Sequence, residues 1–274
     1  MKNTTQLFAQ LNNGVSMPLL GLGVYDMYGT EAEQAVNWAF ETGYRLIDTA
    51  SMYENEVEIG NAIRQSDLKR AEIFLTTKVN DSEQGFDQTL RAFDTSLAKL
   101  QTDYVDLYLI HWPLKATRKA TWGALERLYE EKRVRAIGVA NYLIPFLDEL
   151  KTYGNITPAV NQVEFSPYLF LEDLLNYCQQ SDTVLQAYTP LIRGEKMNEP
   201  KLVAMAKKYE KTPAQIILRW AVQMGVSTIP KSVNLKRIQE NFAIFDFSIS
   251  PEDMLKINQF NENYRVVDDP MVFF

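Results

Sequence analysis

The sequence predicts a (β/α)8 barrel entered through a short β-hairpin, in one domain across residues 1–274, and three observations carry that reading. Eight apolar, β-branched runs recur along the chain, at 19–25, 46–50, 73–79, 105–111, 136–140, 159–165, 184–190 and 226–232. Most are apolar nearly throughout, which marks strands buried on both faces and therefore a parallel sheet. The segments between them, such as EAEQAVNWAFETG and FDQTLRAFDTSLAKL, repeat their apolar residues at helical spacing. Eight such units in 274 residues favour a closed TIM barrel over an open doubly wound sheet.

Taken in order, the opening LFAQLNNGVSMPL reads as a hairpin turning at Asn13-Gly14, since glycine and asparagine accept left-handed backbone at little cost. The first barrel run, LLGLGVY, contains a GxG that lacks the third glycine of a dinucleotide loop, and no P-loop is present. Any nucleotide site is therefore built another way. Cys178, in the helical segment LEDLLNYCQQ, reads as a small buried thiol. Late in the chain, Thr212 before Pro213 and Ser250 before Pro251 read as helix caps followed by proline at the first helical position.

Composition narrows the function. A net charge of −7 argues against general affinity for nucleic acid or for an anionic membrane. No apolar run approaches the roughly 20 residues needed to span a bilayer. MKNTTQLFAQ lacks the apolar core of a signal peptide, so a cytoplasmic location is expected. One cysteine and one histidine exclude an intrachain disulfide and a Cys/His metal set.

The strand runs end in polar residues: Asp48, Lys78, His111, Asn141, Gln162, Tyr188 and Lys231. The C-terminal strand ends form the active face of this barrel class. Singly, each has an ordinary structural reading, Asp48 as a turn carboxylate and Lys78 as a solvated strand-end lysine. Together on one rim they must pair with each other or with a ligand, because an unpaired buried charge is costly. A free tyrosine, with a pKa of about 10, is a poor acid at neutral pH, and a neighbouring ammonium favours its phenolate and lowers that value. An aspartate keeps such a lysine charged. A histidine beside them can orient a substrate oxygen. Asp48, Tyr53, Lys78 and His111 thus make a general acid beside a carbonyl.

The stretches IDTASMYENE, FLTTKV, TDYVDLYLIHWP, NQVEFSPY and IPKSVNLKRIQEN resemble the aldo-keto reductases, in order over nearly the whole chain, with a likeness to bacterial 2,5-diketo-D-gluconate reductase-type members. The resemblance implies NADPH-dependent reduction of small carbonyls, dicarbonyls or keto sugar acids on a barrel that acts as a monomer. It assigns Tyr53 as proton donor, Asp48 and Lys78 as its tuners and His111 as the carbonyl-orienting group. It places Asn141 and Gln162 on the nicotinamide carboxamide and Tyr188 against the nicotinamide ring, with Thr189, Pro190 and Leu191 following along the cofactor. Lys231, Ser232 and Arg237 match the 2′-phosphate site, and Glu240 and Asn241 lie near the adenine. Tyr25, Met52 and Trp112 are expected to wall the substrate pocket, and the apolar tail YRVVDDPMVFF to fold over it.

Two departures stand out. Ala140 replaces the usual serine before Asn141, which removes one carboxamide hydrogen bond worth on the order of 0.5–1.5 kcal/mol. Thr189 replaces a common serine but keeps a hydroxyl. Two other activities fit parts of the pattern: a cofactor-sensing binding protein of the same fold with little turnover, and a Schiff-base lyase using Lys78. The lyase needs a depressed lysine pKa, which Asp48 opposes.

Overall fold

In the computed structural model, residues 6–273 are described. The chain opens with the antiparallel pair β1 (Phe8–Gln10) and β2 (Ser16–Pro18), registered Phe8 to Pro18. Gly14 turns it with φ of 84°, a left-handed conformation that a side chain disfavours. The barrel strands follow: β3 (Leu22–Gly23), β4 (Leu46–Asp48), β5 (Phe74–Val79), β6 (Val105–Ile110), β7 (Val134–Ala140), β8 (Val160–Glu164), β9 (Val184–Tyr188) and β10 (Ser227–Thr228). They lie in chain order as one parallel sheet.

The first and last barrel strands are much shorter than their apolar runs, because the sheet closes there through single bridges, Leu20 to Thr228 and Gly23 to Lys231. Gly21 N–H donates to Thr228 C=O at 2.8 Å. The GxG of the first run finds its use here. A Cβ on Gly23 would stand 2.7 Å from the Ile229 carbonyl oxygen, and one on Gly21 only 2.1 Å from a Leu46 methyl. These glycines let the barrel shut.

Helices α1 (Gly29–Thr42), α2 (Glu56–Gln65), α3 (Phe86–Leu100), α4 (Arg118–Glu130), α5 (Ile144–Lys151) and α6 (Glu172–Gln180) connect β3 to β9. Helices α7 (Pro200–Lys208) and α8 (Pro213–Gln223) precede β10, and α9 (Leu235–Phe242) and α10 (Pro251–Asn258) follow it. Both expected caps are present. Thr212 accepts from Gln215 N–H in a capping box, and Ser250 accepts from Asp253 N–H. Cys178 is buried.

Two apolar layers result. One lies between strands and helices, built on residues such as Val36, Phe93, Tyr108, Leu125 and Trp220. The other fills the barrel with Leu46, Phe74, Leu107, Leu109 and Val160, and Leu11 and Met17 of the hairpin join it. The hairpin thus plugs the N-terminal end and leaves the C-terminal rim open. Among the described residues no helix is long and apolar enough to cross a membrane.

Candidate active site

Parallel register brings the polar strand ends to one rim. Asp48 closes β4 and Lys78 sits one residue before the end of β5, both essentially buried. Lys78 Nζ donates to Asp48 Oδ1 at 2.5 Å, to the Thr49 carbonyl at 3.0 Å and to the Tyr53 hydroxyl at 3.3 Å. Gln162 Nε2 donates to Asp48 Oδ2 at 2.7 Å, so both carboxylate oxygens are paired. Tyr53 is carried by a 3-10 turn, Ser51–Tyr53, just beyond β4. His111 follows β6, its ring 5.7 Å from that of Tyr53 in an edge arrangement.

Asn55, which the sequence reading missed, fixes the Tyr53 turn. It is fully buried, accepts from Thr49 Oγ1 at 2.7 Å, and donates to the carbonyls of Val24 and Met27 at 2.8 and 3.0 Å. One amide therefore ties the Tyr53 loop to the loop after β3. Gln186 was also missed: it accepts from Gln162 at 2.7 Å and orients it. Alternation of side chains along β9 is the signal that could have placed Gln186 on the inner face.

The electrostatics correct one expectation. Burial pushes the Tyr53 phenol above its ordinary value, and Lys78 only partly offsets that rise. Desolvation outweighs the ammonium, so the resting tyrosine stays protonated. Burial also works against charge on Lys78, yet Asp48 and Tyr53 outweigh it and raise the lysine. Burial pushes Asp48 up while Lys78 and Gln162 pull it back. With a 2.5 Å contact and both oxygens bonded, the pair stands as ionised. Burial and the Lys78 charge hold His111 down to about 3, a neutral imidazole at working pH. Its Nδ1 is buried without a partner among the described residues.

A cleft of about 1110 Å³ runs along the rim from Tyr25, Met52 and Trp112, past Tyr53 and His111, to Lys231 and Arg237. Asp48, Asn141, Gln162, Tyr188, Thr189, Pro190 and Leu191 line it between these ends, and Ser232, Glu240 and Asn241 line the far end. Lys78 lies beneath this floor and meets the cleft through its bonds to Tyr53 and Asp48. Arg193 and Met197 line it as well and were missed, because the loop after β9 carries no periodic pattern. That loop is locally strained: Thr189, Ile192 and Arg193 have φ of 48°, 53° and 49°, uncommon for β-branched residues above all. Asn141 also adopts φ of 65°, which asparagine tolerates.

The donor set fits a dinucleotide. Both amide hydrogens of Gln162 are used, which leaves its Oε1 as an acceptor on the cleft. Asn141 donates to the His111 carbonyl at 2.9 Å and accepts from the Tyr188 hydroxyl at 2.7 Å, locking three site residues together. At the far end Lys231 and Arg237 are exposed, and among the described residues no carboxylate forms a salt bridge with either. Asn234 caps α9 there by accepting from Arg237 N–H, so a helix start adds partial positive charge. The two cations and the helix start together suit an anion. The apolar tail reaches the other end: Val267 lines the cleft, and the Phe273 ring lies 5.3 Å from that of Trp112.

A closed barrel with a protonated tyrosine over a buried lysine–aspartate pair, beside a long cleft that ends at two exposed cations, is the arrangement of a barrel oxidoreductase. The Aldo/keto reductase family model matches residues 20–262, and the chain belongs to that family. It is 48% identical to a glyoxal reductase of Bacillus subtilis over 262 residues, 95% of each chain. It superposes on a Brucella melitensis aldo/keto reductase with a TM-score of 0.91 at 45% identity, covering 94% of this chain and 100% of the other. A Bombyx mori aldo-keto reductase in complex with NADP matches with a TM-score of 0.91 at 35% identity, over 96% and 95% of the two chains.

Proposed function

We propose that this chain reduces small aldehydes and α-dicarbonyls to alcohols with NADPH, using Tyr53 as the proton donor. The observation that carries the reading is the 3.3 Å contact of buried, ion-paired Lys78 with a Tyr53 hydroxyl that faces the cleft. NADPH supplies a hydride when bound. Gln162 Oε1 and the Asn141 side chain hold its carboxamide, and Tyr188 covers the ring. Lys231, Ser232 and Arg237 take the 2′-phosphate, with Glu240 and Asn241 beside the adenine.

Tyr53 passes its hydroxyl proton to the substrate oxygen. The phenolate that remains is stabilised by Lys78, and Asp48 keeps that lysine charged and aimed. The raised pKa suits the role, since the donor must be protonated beforehand. Neutral His111 orients the carbonyl, and Tyr25, Met52 and Trp112 exclude water from it. The small-dicarbonyl preference rests on the similarity to the glyoxal reductase. The lyase alternative is disfavoured by the raised pKa of Lys78, and failure of borohydride to trap substrate on Lys78 is expected.

The test is NADPH consumption over glyoxal, methylglyoxal, aromatic aldehydes and keto sugar acids. Turnover of glyoxal, faster with NADPH than with NADH, is expected. NADPH binding without turnover of any of them would replace this reading with the cofactor-sensing one. Light scattering of the purified chain tests the monomer that accompanies the proposal.

A further inference from the structure

The proposed chemistry leaves one buried carboxylate on the rim without a task. Glu164 ends β8, two residues beyond Gln162 and so on the same side of the strand. It is 3% exposed. Its Oε1 accepts from Val266 N–H at 2.7 Å and its Oε2 from Val267 N–H at 3.2 Å. The Arg265 guanidinium stands 4.0 Å from Oε2, beyond hydrogen-bond reach. Backbone amides of the tail, about a hundred residues later in sequence, are thus its partners.

The tail needs such a hold. From residue 259 to Asp269 it has no helix or strand. Beyond Glu164 it runs to a second anchor, where buried Arg118 donates to the Phe273 carbonyl at 3.1 Å and Phe273 lies against Trp112. At the first hold, Val267 lines the same cleft as Tyr53, His111 and Trp112. An apolar residue held at the mouth serves substrates large enough to reach it. Glyoxal carries no apolar group to meet it.

We infer that Glu164 is a positioning residue for substrate selectivity: its carboxylate grips Val266 and Val267 and so fixes the tail as one apolar wall of the substrate mouth. The inference rests on the reading of Tyr53 and His111 as the reaction centre. It goes beyond that reading by assigning discrimination between small and bulky carbonyls to a strand-end carboxylate that touches neither substrate nor cofactor.

The test compares glyoxal with 4-nitrobenzaldehyde in the full-length enzyme carrying Glu164→Gln or Val267→Ala. Glutamine turns one acceptor into a donor facing an amide N–H, so half the grip is lost. In Glu164→Gln, KM for the aromatic aldehyde should rise at least about fivefold, while its kcat and both constants for glyoxal stay within about twofold. Hydrogen exchange at Val266 and Val267 should accelerate while that of the barrel strands is unchanged. Val267→Ala keeps the grip and removes wall, so it should raise the aromatic KM with tail exchange unchanged; it also decides the matter if Glu164→Gln fails to fold. An unchanged aromatic KM in either folded variant overturns the inference, and so does an equal loss of kcat for both substrates. Wild-type turnover that persists in Tyr53→Phe would instead overturn the reaction centre, whatever the KM ratio shows.

Discussion

Two buried aspartates mark the two ends of one barrel. Asp106, near the start of β6, accepts from Arg70 at 2.8 Å, from Arg135 at 2.7 Å and from Leu75 N–H at 2.9 Å. Asp48, at the end of β4, accepts from Lys78 and Gln162. Both are buried and both are paired. The difference lies one step further out. Arg70 spends its remaining donors on the carbonyls of Ile73 and Tyr104 and on the Thr102 hydroxyl, so the lower network closes on itself. Above, Lys78 leads to a tyrosine that lines the cleft and, among the described residues, donates to no protein group. Open hydrogen-bonding capacity at a cleft, rather than buried charge as such, separates a reaction centre from a structural one.

The sharpest way to break this contrast is at the open end. Tyr53→Phe should lower kcat/KM by about 10²–10⁴-fold, as loss of a general acid does, with NADPH affinity and thermal midpoint nearly unchanged. Steady-state kinetics alongside a cofactor titration check both halves. A variant as active as wild type would remove the distinction between the two ends.

At the closed end the effect should fall on stability. Asp106→Ala removes the buried acceptor of partly exposed Arg70, half-exposed Arg135 and the Leu75 N–H, and leaving such a buried donor unmet costs about 1–3 kcal/mol. Urea unfolding should show the loss, while the folded fraction keeps wild-type kcat/KM. A catalytic defect without a stability defect would show that the lower network serves chemistry too.

Arg237→Ala sharpens the picture along the cleft. A lost charge-assisted hydrogen bond costs about 1.5–3 kcal/mol, so NADPH binding should weaken roughly ten- to a hundredfold. NADH, which lacks the 2′-phosphate, should change little. Equal losses for both cofactors would contradict the assignment.

The last effect is graded with pH and is absent at neutral pH. His111 is held at about 3 against an ordinary value of 6.5, because burial and Lys78 disfavour its charge. Between these values the unfolded chain binds a proton that the folded chain excludes. This contribution is therefore complete above about pH 6.5 and is lost as pH falls toward 3, with a slope approaching about 1.4 kcal/mol per unit. Denaturant titrations of wild type and His111→Gln isolate it. The same depression means that kcat/KM should show no break near pH 6.5; a break there that vanishes in His111→Gln would show the imidazole titrating normally.

Much of this was legible in the chain. The apolar runs located every barrel strand, since burial on both faces demands continuous apolarity. Asp48, Lys78, His111 and Asn141 were legible at strand ends because the barrel sends its C-terminal ends to one rim; Gln162, read as a strand end, lies in the middle of β8. Asn55 and Gln186 were not, because an amide inside a polar loop or an apolar strand looks like any other until its partners are placed. Arg193 and Met197 escaped for a similar reason: an irregular loop has no period from which to infer what it faces.

By itself, then, the sequence determined the barrel, the rim and the polar residue types that meet on it, because periodicity and residue type are local properties. Only the tertiary structure decided the balance of forces on them. The neighbouring ammonium suggested a lowered tyrosine pKa, yet desolvation wins and Tyr53 stays protonated, since burial is a property of everything packed around it. Likewise the GxG of the first run, which the chain alone left without a task, turned out to be the seam where the sheet closes, and Glu164 gained a task only when Val266 and Val267 came within reach. Desolvation, steric closure and long-range hydrogen bonds join residues far apart in the chain, and no local pattern records them.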